Sequence, residues 1–119
     1  NYTPNFFVYT GTHDNNTTVG WWLKDTRQDV RANLKQYVDD PGISQNNIHL
    51  VLGKMAYASV ARTVILPLQD VLGLDENARM NTPASIKMNW LWRLKAGQLM
   101  PSAKNQLLKW ARLYNRIWQ

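Results

Sequence analysis

The sequence predicts an α/β fold built from parallel βα units, the tail of a larger α/β barrel. Three observations point there. Phe6-Phe-Val-Tyr9 and Thr63-Val-Ile-Leu66 are short aromatic or β-branched runs without polar alternation, the pattern of strands buried on both faces. Both strand runs lead into polar or turn-forming residues, and helical apolar periods lie around them, which is the grammar of βα units. Two strands cannot close a sheet, because their faces and edges stay unpaired, so strands beyond these 119 residues are required.

The first strand is bounded by Pro4 and Gly11. In the polar stretch THDNNTT that follows, Thr17 or Thr18 is suited to cap a helix starting at Val19-Gly-Trp-Trp22, because a threonine hydroxyl accepts from a free N–H of the first turn. His13 and Asp14 therefore lie in a βα loop. Thr26-Arg-Gln-Asp29 is a variant capping box with Asp in place of Glu, leading into a helix with Val30, Leu34 and Val38 at helical spacing. Asp39-Asp-Pro-Gly42 stops it.

Ile48, Val51, Leu52, Met55, Ala56, Ser59 and Val60 recur at threes and fours, predicting a largely buried helix over residues 46–61 in which Gly53 and Ala58 permit close packing. The second strand ends at Pro67, which cannot donate to a ladder, leaving Gln69 and Asp70 to project from its C-terminal end. Residues 74–100 have little periodicity but are rich in Asn, Arg and Trp, which predicts an ordered loop. Pro101 and Ser102 then open a helix with Leu107, Trp110, Ala111, Tyr114 and Trp118 on one face. There are no repeats and no low-complexity tract.

With 45% hydrophobic and 18% charged residues, composition fits one packed domain over residues 1–119 with no separate second domain. The absence of cysteine excludes disulfides and thiolate metal sites, and no run reaches the roughly 18 apolar residues of a membrane span, so a soluble intracellular setting without a membrane partner is expected. The chain opens on Asn1 and has no charged-then-apolar leader, as expected of a piece of a longer polypeptide. Its charge of +6 raises nucleic acid as a partner. The basic residues, from Lys24 and Arg27 through Lys54 and Arg62 to Arg112 and Arg116, form no block or stripe, so most are expected on solvated helix faces and no nucleic-acid partner is expected.

In α/β barrels the reacting groups come from the C-terminal ends of strands and the loops after them, where His13, Asp14, Asn15, Gln69 and Asp70 stand. A His-Asp pair in a loop is also, and more often, a helix cap beside an ordinary histidine. Serine-nucleophile chemistry lacks its Gly-x-Ser-x-Gly elbow, and a metal site lacks further ligands, since His49 falls within a helical apolar pattern. Glycosyl chemistry needs two carboxyl groups flanking the scissile bond. Asp14 supplies one, but the sole glutamate, Glu76, lies beyond the second strand and Asp39 and Asp40 belong to a helix stop, so the pair is not complete.

Four strings, VYTGTHDNNTTVGWW, SVARTVILPLQDVLGL, ARMNTP and NWLWRL, together resemble the C-terminal part of the 4-α-glucanotransferases, the amylomaltase or disproportionating-enzyme family. The resemblance runs nearly end to end. It implies a (β/α)₈ TIM barrel of which this chain is the C-terminal segment, about the last two strands with their helices and loops. It also implies retaining transfer of α-1,4-glucan segments between maltooligosaccharide donor and acceptor, without metal or other cofactor. The nucleophilic aspartate and the acid/base glutamate would lie upstream, in a missing N-terminal part of the barrel, leaving this chain inactive alone.

By the same resemblance Asp14 matches the third catalytic carboxylate, which holds the sugar's 2- and 3-hydroxyls and stabilises the oxocarbenium-like transition state. His13 shares those contacts. Asn81 of ARMN binds donor glucose, with Asn15 and Pro83 beside the same motifs, and Gln69 and Asp70 of PLQD are candidates for substrate contact or loop support. Trp21, Trp22, Trp90 and Trp92 raise the question of sugar stacking, although tryptophans in such settings are more often core. Asn16 stands where the family has aspartate, and Ala84 and Met88 where it has glycine. If those glycines need positive φ, the two side chains would narrow or repack the donor loop. The implied location is cytoplasmic, or plastid in a plant. The alternative from another class is a basic helical module for nucleic acid or protein.

Overall fold

The computed structural model describes residues 6–86 and 89–117. Pro4, Met88 and Trp118 lie outside them. Among the described residues nine elements follow in order: strand β1 (Phe7–Tyr9), α1 (Thr18–Gly20), a π-helical turn (Trp21–Asp25), α2 (Gln28–Tyr37), α3 (Ile48–Ala58), strand β2 (Thr63–Ile65), α4 (Leu68–Val71), a 3₁₀ turn (Glu76–Ala78) and α5 (Pro101–Leu113). β1 and β2 pair in parallel with Phe7 opposite Thr63, Val8 opposite Val64 and Tyr9 opposite Ile65. Helical segments connect them, as a parallel pair demands.

The strands are not buried on both faces as their composition predicts. Phe7, Tyr9 and Ile65 are 63, 55 and 48% exposed. Two strands give too little sheet to cover both of its faces, and residues whose composition suits a sheet interior are left in solvent. The core instead forms among helices: Val19, Trp22, Ile43 and Ile48 are buried together, with Trp21, Leu34, Val38, Val51 and Leu52 packed against them.

Thr17 caps α1, its hydroxyl accepting from Gly20 N–H at 3.0 Å. Thr26 does not cap α2. Its hydroxyl donates to the Trp22 carbonyl at 2.6 Å and accepts from Arg31 Nε at 2.8 Å, so it closes the π-helical turn, and Arg27 is the N-cap residue of α2 without a side-chain bond. Arg31 also donates to the Trp22 and Leu23 carbonyls and lies over the Trp22 ring at 5.4 Å. It ties that turn to α2 by hydrogen bonds and cation–π contact.

α3 is shorter at both ends than the apolar period suggests. Asn47 folds back to accept from Ser44 N–H, and Ser59 donates to the Ala56 carbonyl, local side-chain bonds that compete with helix propagation. Met55, Ala58 and Val60 are exposed, which corrects the expected buried stripe and the close packing expected at Ala58. Gly53 meets that expectation: a Cβ there would lie 2.8 Å from Cη2 and Cζ3 of Trp110, the buried residue of α5. Arg116 is not on a solvated face. It donates to the carbonyls of Tyr57, Ser59 and Ala61, each at 2.9 Å, satisfying groups left free where α3 ends. Among the described residues no helix is long and apolar enough to cross a membrane.

Candidate functional site

Two loops meet beyond the C-terminal ends of the strands. The first, residues 10–17, is shaped by Asn15, whose side-chain oxygen accepts from Thr12 N–H at 2.8 Å and Thr12 Oγ1 at 3.0 Å. Between these bonded residues His13 and Asp14 have side chains 56 and 51% exposed, with His13 Nε2 3.3 Å from Asp14 Oδ2.

The second loop brings up Arg79 and Asn81. Asn81 Nδ2 donates to Asp14 Oδ1 at 2.7 Å, and Arg79 Nη2 donates to the Asp14 carbonyl at 2.9 Å while its Nε donates to the Asn81 carbonyl at the same distance. Asp14 is thus held through both side chain and backbone. Arg79 fixes the relation of the two loops, and the sequence reading gave it no role of its own. Its signal was only its place in ARMN.

The Gln69-Asp70 pair does not project from the strand into open space. Both residues are buried in α4. Asp70 accepts from Thr10 Oγ1 at 2.7 Å and from Thr18 N–H at 2.8 Å, clamping the two ends of the first loop, and Gln69 Nε2 donates to the Ala78 carbonyl at 3.2 Å, just before Arg79. One dipeptide at the end of β2 therefore anchors both loops. A buried carboxylate is tolerable there because each oxygen has a donor.

Pro83 and Ala84 occupy the centre of a turn closed by Ser85 N–H on the Thr82 carbonyl at 3.1 Å. Ala84 has φ 65°, the left-handed value that position i+2 of a type II turn requires, with proline at i+1. A glycine would occupy it without strain. Asn16 sends Nδ2 to Asp25 Oδ2 at 3.1 Å, while its Oδ1 is buried with no hydrogen-bond partner, against Gly20.

Of the tryptophans, Trp22 is core and Trp21 is half-buried against it. Trp90 is half exposed and lies against His13, with ring centroids 5.1 Å apart. Asp14 lines an open cleft of about 450 Å³ with Asn15, Trp21 and Arg79, while His13 lines a separate cavity of about 240 Å³ with Asn15 and Met80. A larger cleft of about 800 Å³, between Leu23, Leu74 and Trp92, contains neither His13 nor Asp14.

Glu76 pairs with Lys24, whose ammonium is held above the ordinary lysine range by that carboxylate. His49 is half-buried, its Nδ1 without a hydrogen-bond partner, and burial pushes it below the usual imidazole range against a smaller opposing pull from Asp70. Among the described residues no group of three His, Asp or Glu side chains is placed to hold a metal ion.

Comparison with known proteins gives a consistent result. A family model described as 4-alpha-glucanotransferase matches residues 1–99. The chain is 42% identical over 114 residues to the chloroplastic/amyloplastic 4-alpha-glucanotransferase of Oryza sativa subsp. japonica, covering 92% of this chain and 18% of that protein. It is 37% identical over 113 residues to the 4-alpha-glucanotransferase of Streptococcus pneumoniae, covering 95% of this chain and 22% of that protein. Amylomaltase from Streptococcus agalactiae, solved in complex with acarbose, superposes with a TM-score of 0.82 at 33% identity, over 96% of this chain and 22% of the other. The chain spans about a fifth of the length of the relatives it matches, and its fold is that of a part of amylomaltase.

Proposed function

The chain belongs to the 4-alpha-glucanotransferase family, and from that premise we propose that it is the C-terminal segment of the enzyme's catalytic (β/α)₈ barrel, holding the corner of the site that grips sugar hydroxyls. One observation carries this reading: Asp14, half exposed at a cleft, has one carboxylate oxygen bonded by Asn81 and the other 3.3 Å from His13 Nε2. A carboxylate so oriented is a strong acceptor for the paired hydroxyls of a glucose ring.

As the ring flattens toward the oxocarbenium geometry its hydroxyls shift, and bonds that tighten with that shift lower the barrier. Asp14 is the transition-state stabiliser, and His13, Asn81 and Asn15 hold it or meet the sugar. Pro83 shapes the donor loop. Gln69 and Asp70 act by anchoring both loops. The bond-breaking nucleophile and acid/base come from the part of the enzyme beyond this fifth of its length, since Glu76, the one glutamate, is committed to Lys24. The substrates are α-1,4-glucans, exchanged between maltooligosaccharide donor and acceptor in a soluble compartment, which for plant relatives is the plastid.

Incubating the purified 119-residue chain with maltotriose tests this division of labour. Neither glucose nor longer maltooligosaccharides should form, while the amide signals of Asp14 and Asn81 should shift on titration. Transfer activity abolished by Asp14→Asn would contradict the proposal.

A further inference from the structure

We infer that Trp90 is a positioning residue for His13 and, through it, for the Asp14 carboxylate, an inference that rests on the glucan-binding reading of the site. The backbone of Trp90 has φ 62°, the left-handed region. For a bulky aromatic this is an outlier, and such a conformation persists only where its surroundings over-determine it.

Two sets of bonds do so. Trp90 N–H donates to the carbonyl of Met80, inside ARMN, and Arg93 Nη1 donates to the carbonyls of Trp90 at 3.0 Å and Trp92 at 2.9 Å. Asn89 adds a third tie from the preceding position, accepting from Thr82 N–H at 3.0 Å and donating to the Ser85 carbonyl at 2.7 Å. The segment is folded back onto the loop that carries Asn81.

What this strained backbone achieves is not burial, because Trp90 remains 50% exposed. It sets the indole against the His13 ring, centroids 5.1 Å apart and planes inclined at 34°. His13 is an exposed loop side chain whose χ2 is intrinsically broad. With Trp90 on its face, the imidazole keeps Nε2 3.3 Å from Asp14 Oδ2 while Asn81 takes Oδ1. The carboxylate is then bonded by Asn81 on one side and flanked by the imidazole on the other. Trp90 acts through His13.

Proton NMR of the 119-residue chain tests this, on wild type, W90F and W90L, with maltotriose as probe. In wild type the His13 ring protons should show cross-relaxation to the Trp90 indole and an upfield ring-current shift. W90L should lose both and weaken maltotriose binding about tenfold through lost preorganisation, and W90F should retain the upfield shift and most of the affinity. Unchanged His13 shifts and unchanged affinity in W90L overturn the inference. Should W90L fail to fold, the wild-type cross-peak and W90F still decide, and absence of that cross-peak overturns it. If wild type shows the cross-peak but binds no maltotriose, the glucan reading fails while the His13–Trp90 contact stands.

Discussion

Asn81 Nδ2 donates to Asp14 Oδ1 at 2.7 Å, joining two loops that lie 67 positions apart in the chain. The bond is charge-assisted, and it lies where solvent reaches both partners, so its value is in orientation more than in stability. Asn81→Ala should leave urea unfolding within about 0.5 kcal/mol of wild type. Maltotriose affinity, followed by amide shifts, should fall about tenfold, a loss of about 1.4 kcal/mol. A large loss of stability with unchanged affinity would show that the pair is structural.

The reverse pattern is expected at Asp70. Its oxygens accept from Thr10 Oγ1 and Thr18 N–H in a buried setting, and Asp70→Ala strands both donors. Urea unfolding should show a loss of about 3 kcal/mol, with Asp70→Asn losing less because one acceptor survives. Wild-type stability in Asp70→Ala would remove the clamp from the account.

Gly53 and Trp110 allow a test of packing. The missing Cβ lies where Trp110 Cη2 and Cζ3 would be 2.8 Å away, and the indole is buried, so α3 and α5 must separate to admit a methyl group. Gly53→Ala should destabilise the fold by about 1–3 kcal/mol despite the better helix propensity of alanine. Thermal unfolding reads the sign directly, and stabilisation would contradict the contact.

Ala84 should respond the other way. Its φ of 65° costs an L-residue about 1–2 kcal/mol, part of which glycine returns as unfolded-chain entropy. Ala84→Gly is therefore expected to raise stability by up to about 1 kcal/mol, measured by urea unfolding. A loss would show that the turn is not strained.

Burial holds His49 below the ordinary imidazole range, so the unfolded chain binds this proton more readily than the folded one. The stabilisation from neutral His49 is fully present above its unfolded pKa of about 6.5 and is lost as pH falls from there toward the lower folded value. Between about pH 7.5 and about pH 5.5, wild type should lose more unfolding free energy than His49→Gln. Equal losses would contradict the shift.

Much of this was legible in the sequence because it rests on local chemistry. Thr17 before an apolar run, Pro67 after a β-branched run, and proline opening the last helix act through their own backbone neighbours, and the structure keeps all three in place. Asp14 and Asn81 could be paired only through motif strings, since spacing along a chain does not say which loops touch. The strands misled because β-branched composition reports what a strand is suited to, whereas burial depends on what covers it, and Phe7 and Tyr9 are uncovered here. Thr26 misled for a related reason: the π-helical turn claimed its hydroxyl first. Composition raised Trp90 only as a stacking candidate, and nothing local pointed to the roles of Arg79, Arg116 and Trp90, which depend on carbonyls and rings remote in sequence.

The most direct test of the central claim is the rate of maltotriose disproportionation by the full-length enzyme that carries this segment, compared with its Asp14→Asn variant. Loss of a preorganised transition-state contact predicts a fall of about a hundredfold or more, with an unchanged thermal unfolding curve. Wild-type turnover in that variant would contradict the assignment of Asp14 to the transition state.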